Sequence, residues 1–184
     1  MKEMKESRKT RYTRMVLQDS LFELMRDKPV AKITIKELCE KADINRTTFY
    51  AYYRDQYDLL RTIEDETLSW VREAVTDLIG KRDKDEMLKV LYMIFQYFTE
   101  NSKHLQILMS EQGDIDFQKQ LLTLIYREIG ISTAADSNPG VNEDYLIFVV
   151  NGSIGLIQNW LKKGMNRSAE EMAETIYTLA CQIK

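Results

Sequence analysis

Only two prolines and seven glycines interrupt the 184 residues, and the stretches between them are rich in Leu, Glu, Lys, Met and Ala. Those residues favour helix, while proline and glycine are the ones that end it. No segment alternates apolar and polar residues for long enough to suggest a strand, and no internal repeat is visible. The chain therefore reads as all-α. Apolar residues make up 44% of it and charged residues 30%, enough to bury a core under a wetted surface. No apolar run reaches the roughly 18 residues of a membrane span, and the N-terminus is basic without an apolar signal core. The expectation is a cytoplasmic protein with no membrane partner.

Cys39 and Cys181 stand in unrelated segments, and His104 is the single histidine, so no metal-binding spacing exists. Both cysteines fall on the apolar side of a helical pattern and read as small buried thiols. The net charge of -3 is unevenly spread. Residues 1–60 carry 13 Lys+Arg against 10 Asp+Glu, whereas residues 61–184 carry 13 against 19. The basic end is the one suited to nucleic acid. Lys2, Lys5, Arg8, Lys9, Arg11 and Arg14 within it form a candidate arm for phosphate or minor groove.

Leu17, Leu21, Leu24 and Met25 mark a first amphipathic helix from about Arg11 that must stop before Pro29. Thr34 can then cap a short helix from Ile35 to about Lys41, with Glu37 at the third position of a capping box. Ala42-Asp43-Ile44-Asn45 makes a tight break, and Asn45 can cap a third helix running from Arg46 to about Tyr53. Two helices joined by so short a turn, with Leu38, Ile44 and Phe49 available to lock them, form a helix-turn-helix. One helix braces across the DNA backbone while the start of the next enters the major groove.

A long helix follows from Asp55 to about Ile79, ending near Gly80. Further helices are expected over about Asp85 to Glu100, Ser102 to Ser110, and Asp114 to Ile129, the last closed by Gly130. Ile131 to Val141, with Asn138-Pro139-Gly140, reads as a loop. Asn142 can cap a very apolar helix reaching Lys163, and Ser168 with Glu171 forms a capping box for the last one. The count is nine helices.

The segment Thr34 to Leu60, TIKELCEKADINRTTFYAYYRDQYDLL, resembles the DNA-binding signature of the TetR family of transcriptional regulators. The resemblance rests on the Thr-capped helix, the Ala42 turn, the Phe49-Tyr50 pair, Tyr53, and the leucines Leu59 and Leu60. It implies a DNA-binding domain over residues 1–54 and a regulatory, dimerising domain over 55–184. It also implies a ligand-responsive repressor that binds a palindromic operator as a homodimer. Thr34, Lys36, Asn45, Arg46, Thr47, Thr48, Tyr50 and Tyr52 are the implied DNA contacts. Their chemistry suits the role: Arg46 for a guanine edge or phosphate, the threonines for thymine methyls or phosphate, the phenols for phosphate. Two positions depart from many members: Asp43 stands where glycine is common, at a turn that favours positive φ, and Gln56 stands where a phosphate-binding lysine is common.

In the second region an aromatic and Met pattern gives Tyr92, Phe95, Phe98, Met109 and Tyr126 as candidate lining for a small apolar or aromatic effector, which the resemblance implies. No nucleophile pairs with His104 and no Gly-rich phosphate loop exists, so neither an enzyme nor a cofactor is expected. An alternative function is a TetR-like coactivator that answers to a protein partner instead of a small molecule. Dimerisation is expected through the last two helices. Ala169, Ala173, Ile176, Ala180 and Ile183 form a narrow stripe, beside Leu156, Trp160 and the small residues Gly152, Ser153 and Gly155.

Overall fold

A computed structural model describes residues 8–110, 113–135 and 143–182. Among these residues there are nine α-helices, one short 3-10 turn and no strand. Lys2 and Lys5 of the arm, the Asn138-Pro139-Gly140 loop, the Asn142 cap, the side chain of Cys181, and Ile183 lie outside the described residues. The chain divides into two compact units, Met1–Glu66 and Thr67–Lys184, here called head and body.

The head contains α1 (Arg8–Met25), α2 (Ile35–Ala42), α3 (Arg46–Tyr50) and the start of α4 (Gln56–Ile79). Leu17, Leu21, Phe22, Leu38, Phe49 and Leu59 fill its interior, and all six are almost fully buried. The unit extends past Arg54 because Leu59, Leu60 and Ile63 of α4 are buried with it. Arg14 also reaches from α1 to Glu66, and its Nε donates to the Tyr53 hydroxyl at 3.4 Å. Arg14 thus serves the fold of the head, not the flexible arm expected of it.

Third-helix length differs from expectation. It closes at Tyr50 instead of Tyr53, because the Phe49 carbonyl accepts the backbone N–H groups of both Tyr52 and Tyr53 at 3.0 Å. That tighter turn carries Tyr53 inward, 5.9 Å from the Phe49 ring.

The body holds the rest of α4 with α5 (Lys84–Glu100), α6 (Ser102–Leu108), α7 (Ile115–Ala135), α8 (Glu143–Lys162) and α9 (Ala169–Gln182). Its most extensive packing joins α5 to α9. Phe95 of α5 meets the buried Trp160 of α8 edge-on, at 5.4 Å and 84°, a favourable aromatic geometry. The α9 capping box forms: Glu171 N–H donates to the Ser168 hydroxyl at 3.2 Å, and Ser168 N–H donates to the Glu171 carboxylate at 2.9 Å. Gly130 does not stop α7, which continues to Ala135. A glycine ends a helix by turning left-handed, and among the described glycines only Gly164, after α8, has positive φ, at 70°.

Candidate functional site

Local hydrogen bonds set the geometry of the helix-turn-helix. Thr34 N–H donates to the Glu37 carboxylate at 2.9 Å, and Glu37 N–H donates to the Thr34 hydroxyl at 3.2 Å, completing the capping box of α2. Lys28 donates to the same carboxylate at 2.6 Å. Lys28, followed by the Thr34 backbone and hydroxyl, holds the Glu37 carboxyl down at about 2. At the far end of α2, Asp43 adopts the left-handed conformation, φ 52° and ψ 44°, and Ile44 N–H returns to the Cys39 carbonyl at 3.0 Å. Glycine adopts that conformation readily, and aspartate tolerates it better than most other residues.

Asn45 then opens α3: its side-chain oxygen accepts from Thr48 N–H at 2.7 Å and from the Thr48 hydroxyl at 2.9 Å. Phe49 points inward and is fully buried, and the adjacent Tyr50 points out with 57% of its surface exposed. Their rings meet edge-on at 5.5 Å.

Arg46, Thr47 and Tyr50 therefore stand exposed on α3. Arg46 has no hydrogen-bond or ion-pair partner among the described residues, so its guanidinium fork is available. Thr34 and Lys36 are exposed at the start of α2, and Lys36 keeps only a 3.8 Å ion pair with Glu40, both side chains being mostly in water. Such a pair holds the lysine weakly. The other expected contacts are more committed: Asn45 and Thr48 form the cap, and Tyr52 is half-buried at 6.4 Å from the Tyr53 ring. Cys39 lies in the core, where burial pushes its thiol up against the opposing pull of Arg46.

In the body, six helices enclose an apolar cavity of about 220 Å³. Phe95, Phe98 and Met109 line it, but Tyr92 and Tyr126 do not. Tyr92 instead bonds Glu170, and the Tyr126 hydroxyl accepts from the Asn151 amide at 2.5 Å. Sequence reasoning missed the contribution of α4 and α8, among them Trp70, Val71, Ala74, Val149, Ile154 and Ile157. The helical spacing of Trp70, Val71, Ala74 and Leu78 was a usable signal, though it reads equally as plain core.

The expected dimer stripe divides. Trp160 and Ala173 are each only 3% exposed within their own chain, and Ile176 is buried too. Their burial corrects the expectation that they meet a partner, because the chain's own packing already covers them. Leu156, Ala169 and Ala180 are half-buried. Among the residues that α8 and α9 leave outside are Ile147, Phe148, Gly152, Gly155 and Leu179.

A helix-turn-helix that exposes an arginine and hydroxyls at the start of its second helix, in a chain whose other unit surrounds an apolar cavity, defines a helix-turn-helix transcriptional regulator. The family model described as a transcriptional regulator C-terminal region, TetR_C_8, matches residues 85–182, more than half of the chain. The chain belongs to the TetR family of transcriptional regulators, which are not enzymes.

A curated relative is the HTH-type transcriptional regulator YxbF of Bacillus subtilis, 20% identical over 175 residues. That alignment takes in 90% of this chain but only 44% of YxbF, so the chain spans less than half the length of that relative. Among solved structures, a TetR-family regulator of Syntrophomonas wolfei matches with a TM-score of 0.66 at 16% identity, covering 94% of this chain and 95% of that one. The regulator FadR of Bacillus subtilis, in complex with stearoyl-CoA, matches with a TM-score of 0.62 at 13% identity, covering 90% and 96%. These likenesses establish the shared fold. No helix among the described residues is long and apolar enough to cross a membrane.

Proposed function

We propose that the protein is a cytoplasmic repressor that binds a palindromic operator as a homodimer through α2 and α3, and that an apolar effector in the body controls its affinity for DNA. The observation that carries the reading is the opposite facing of neighbours on α3. Phe49 anchors the helix inside the head, while Arg46, Thr47 and Tyr50 remain free to meet base edges and phosphates.

Dimerisation has independent support. Gly152 and Gly155 sit in the middle of α8, and a Cβ added at either would meet nothing within 4 Å. A mid-helix glycine costs about 1 kcal/mol relative to alanine, and no contact among the described residues accounts for either of them. Close approach of a second copy does, with Phe148, 63% exposed, and Leu179, 44% exposed, supplying apolar surface. A two-fold pair of heads matches a two-fold operator.

The effector reading rests on the cavity, and the likeness to a stearoyl-CoA complex agrees with a ligand that has an apolar portion. Linkage then requires reciprocity: a ligand that lowers operator affinity binds the free protein more tightly than the DNA complex by the same factor. The test is selection of bound sequences from random DNA, followed by titration of the selected site over a range of salt. A palindrome is expected, with log affinity falling by about 0.9 per log unit of salt for each phosphate neutralised. Salt-insensitive binding, or no enriched sequence, would overturn the reading.

A further inference from the structure

The apolar cavity does not stand alone. A polar recess of about 800 Å³ lies among α6, α7 and α8, lined chiefly by Gln106, Ser110, Gln118, Gln158, Asn159 and Lys162. Met109, at the end of α6, lines both the recess and the cavity. We infer that the effector is an uncharged amphiphile, with a short apolar chain in the cavity and a hydroxyl-bearing head in the recess, the two meeting at Met109. The inference rests on the proposed effector role of the cavity and names the chemistry of its ligand.

Cavity size sets the chain. A cavity of about 150 Å³ accepts benzene, and by proportion about 220 Å³ accommodates roughly nine carbons. No charged side chain lines the cavity, and its few hydroxyls belong to Thr67, Ser153 and Tyr177. A charge drawn into it would be left uncompensated.

Carboxamide geometry sets the head. Gln118 donates its amide hydrogens to the Leu108 and Ser110 carbonyls at 2.9 and 2.8 Å. Gln106 donates to the Leu161 carbonyl at 3.2 Å, and Gln158 to the Met109 carbonyl at 3.3 Å. Because a carbonyl can only accept, each amide nitrogen is fixed toward the backbone and each side-chain oxygen is left over as an acceptor. None of these three oxygens has a partner among the described residues. Three acceptors gathered in one recess favour a head that donates hydrogen bonds, and they oppose a carboxylate, which can only accept. Lys162 is exposed, so solvent and salt screen its pull on an anion.

Fluorescence of 1-aminonaphthalene, which is uncharged at neutral pH and about the size of the cavity, reports occupancy in the full-length protein. Its emission should rise on binding, and 1-monodecanoylglycerol should displace it at about tenfold lower concentration than decanoate, the effect of one well-matched against one mismatched buried polar group. Gln158→Lys, which exchanges an acceptor for a cation, should shrink or reverse that preference in a variant whose circular dichroism shows it folded. Equal or better displacement by decanoate, or a preference unmoved in Gln158→Lys, overturns the inference while leaving the cavity reading intact. No rise in emission, together with no shift in melting temperature from monodecanoylglycerol, overturns the cavity reading and the inference with it.

Discussion

Head and body divide labour among their residues in opposite ways. In the head, structure and proposed function belong to different side chains that are neighbours in sequence: Phe49 is fully buried while Tyr50 is 57% exposed. In the body they belong to the same side chains. Phe95 and Phe98 line the cavity and are also core, with Phe95 packed on Trp160. Substitution can therefore separate binding from stability in the head and cannot do so at the aromatic residues that line the body's cavity.

The largest effects set the interior of the body against its outward face. Ala173→Glu forces a carboxylate among buried side chains and should cost about 3 to 5 kcal/mol, the range for an uncompensated buried charge, so melting temperature should collapse. Leu179→Glu places the same charge at a 44% exposed position. It should leave the helices intact and shift sedimentation from dimer to monomer. A stable dimer in Leu179→Glu would break the assignment of that face.

Next come the paired aromatic substitutions. Phe95→Ala in the body and Phe49→Ala in the head should each lose about 3 to 5 kcal/mol of stability, but only Phe95→Ala should also change effector affinity. Arg46→Ala and Tyr50→Ala should change stability by no more than about 0.5 kcal/mol. Arg46→Ala should still weaken operator binding by about 1 to 3 kcal/mol. Thermal melts run beside DNA titrations check this contrast, and equal melting losses at residues 46, 49 and 50 would erase it.

A smaller effect concerns acid. The Glu37 carboxyl is held at about 2 in the fold against an ordinary 4.5, so it contributes to stability above pH 4.5 and loses that contribution as pH falls from there toward 2. Glu37→Gln should flatten that part of the head's acid unfolding curve, monitored by circular dichroism. An unchanged curve would mean the capping box carries no pH dependence. The smallest effect is expected at the turn. Asp43→Gly relieves a left-handed side chain and should raise stability by up to about 1 kcal/mol, measurable by urea unfolding.

The helix count and the α2 and α3 caps were legible because each depends on residues a few positions apart, whereas the left-handed Asp43 was expected from the family resemblance. Thr34 with Glu37, and Asn45 with Thr48, settle their own hydrogen bonds within one turn. The outward facing of Tyr50 beside the inward Phe49 was expected from the family resemblance, not from local pattern. Helix ends that depend on conformation were less legible: Gly130 could have turned left-handed and did not, so α7 ran on. In the body the limits were greater. Apolar periodicity states that a helix face is covered, without saying whether its own chain, a ligand or a second copy covers it. Hence Trp160 and Ala173 read from sequence as interface and proved interior, while Phe148 and Leu179 were left outside. Tyr92 and Tyr126 read as cavity lining and instead bond Glu170 and Asn151. Sequence by itself determined what neighbouring residues settle among themselves. Which apolar face meets which was decided only by tertiary packing, because that choice depends on surfaces brought together from six separate helices.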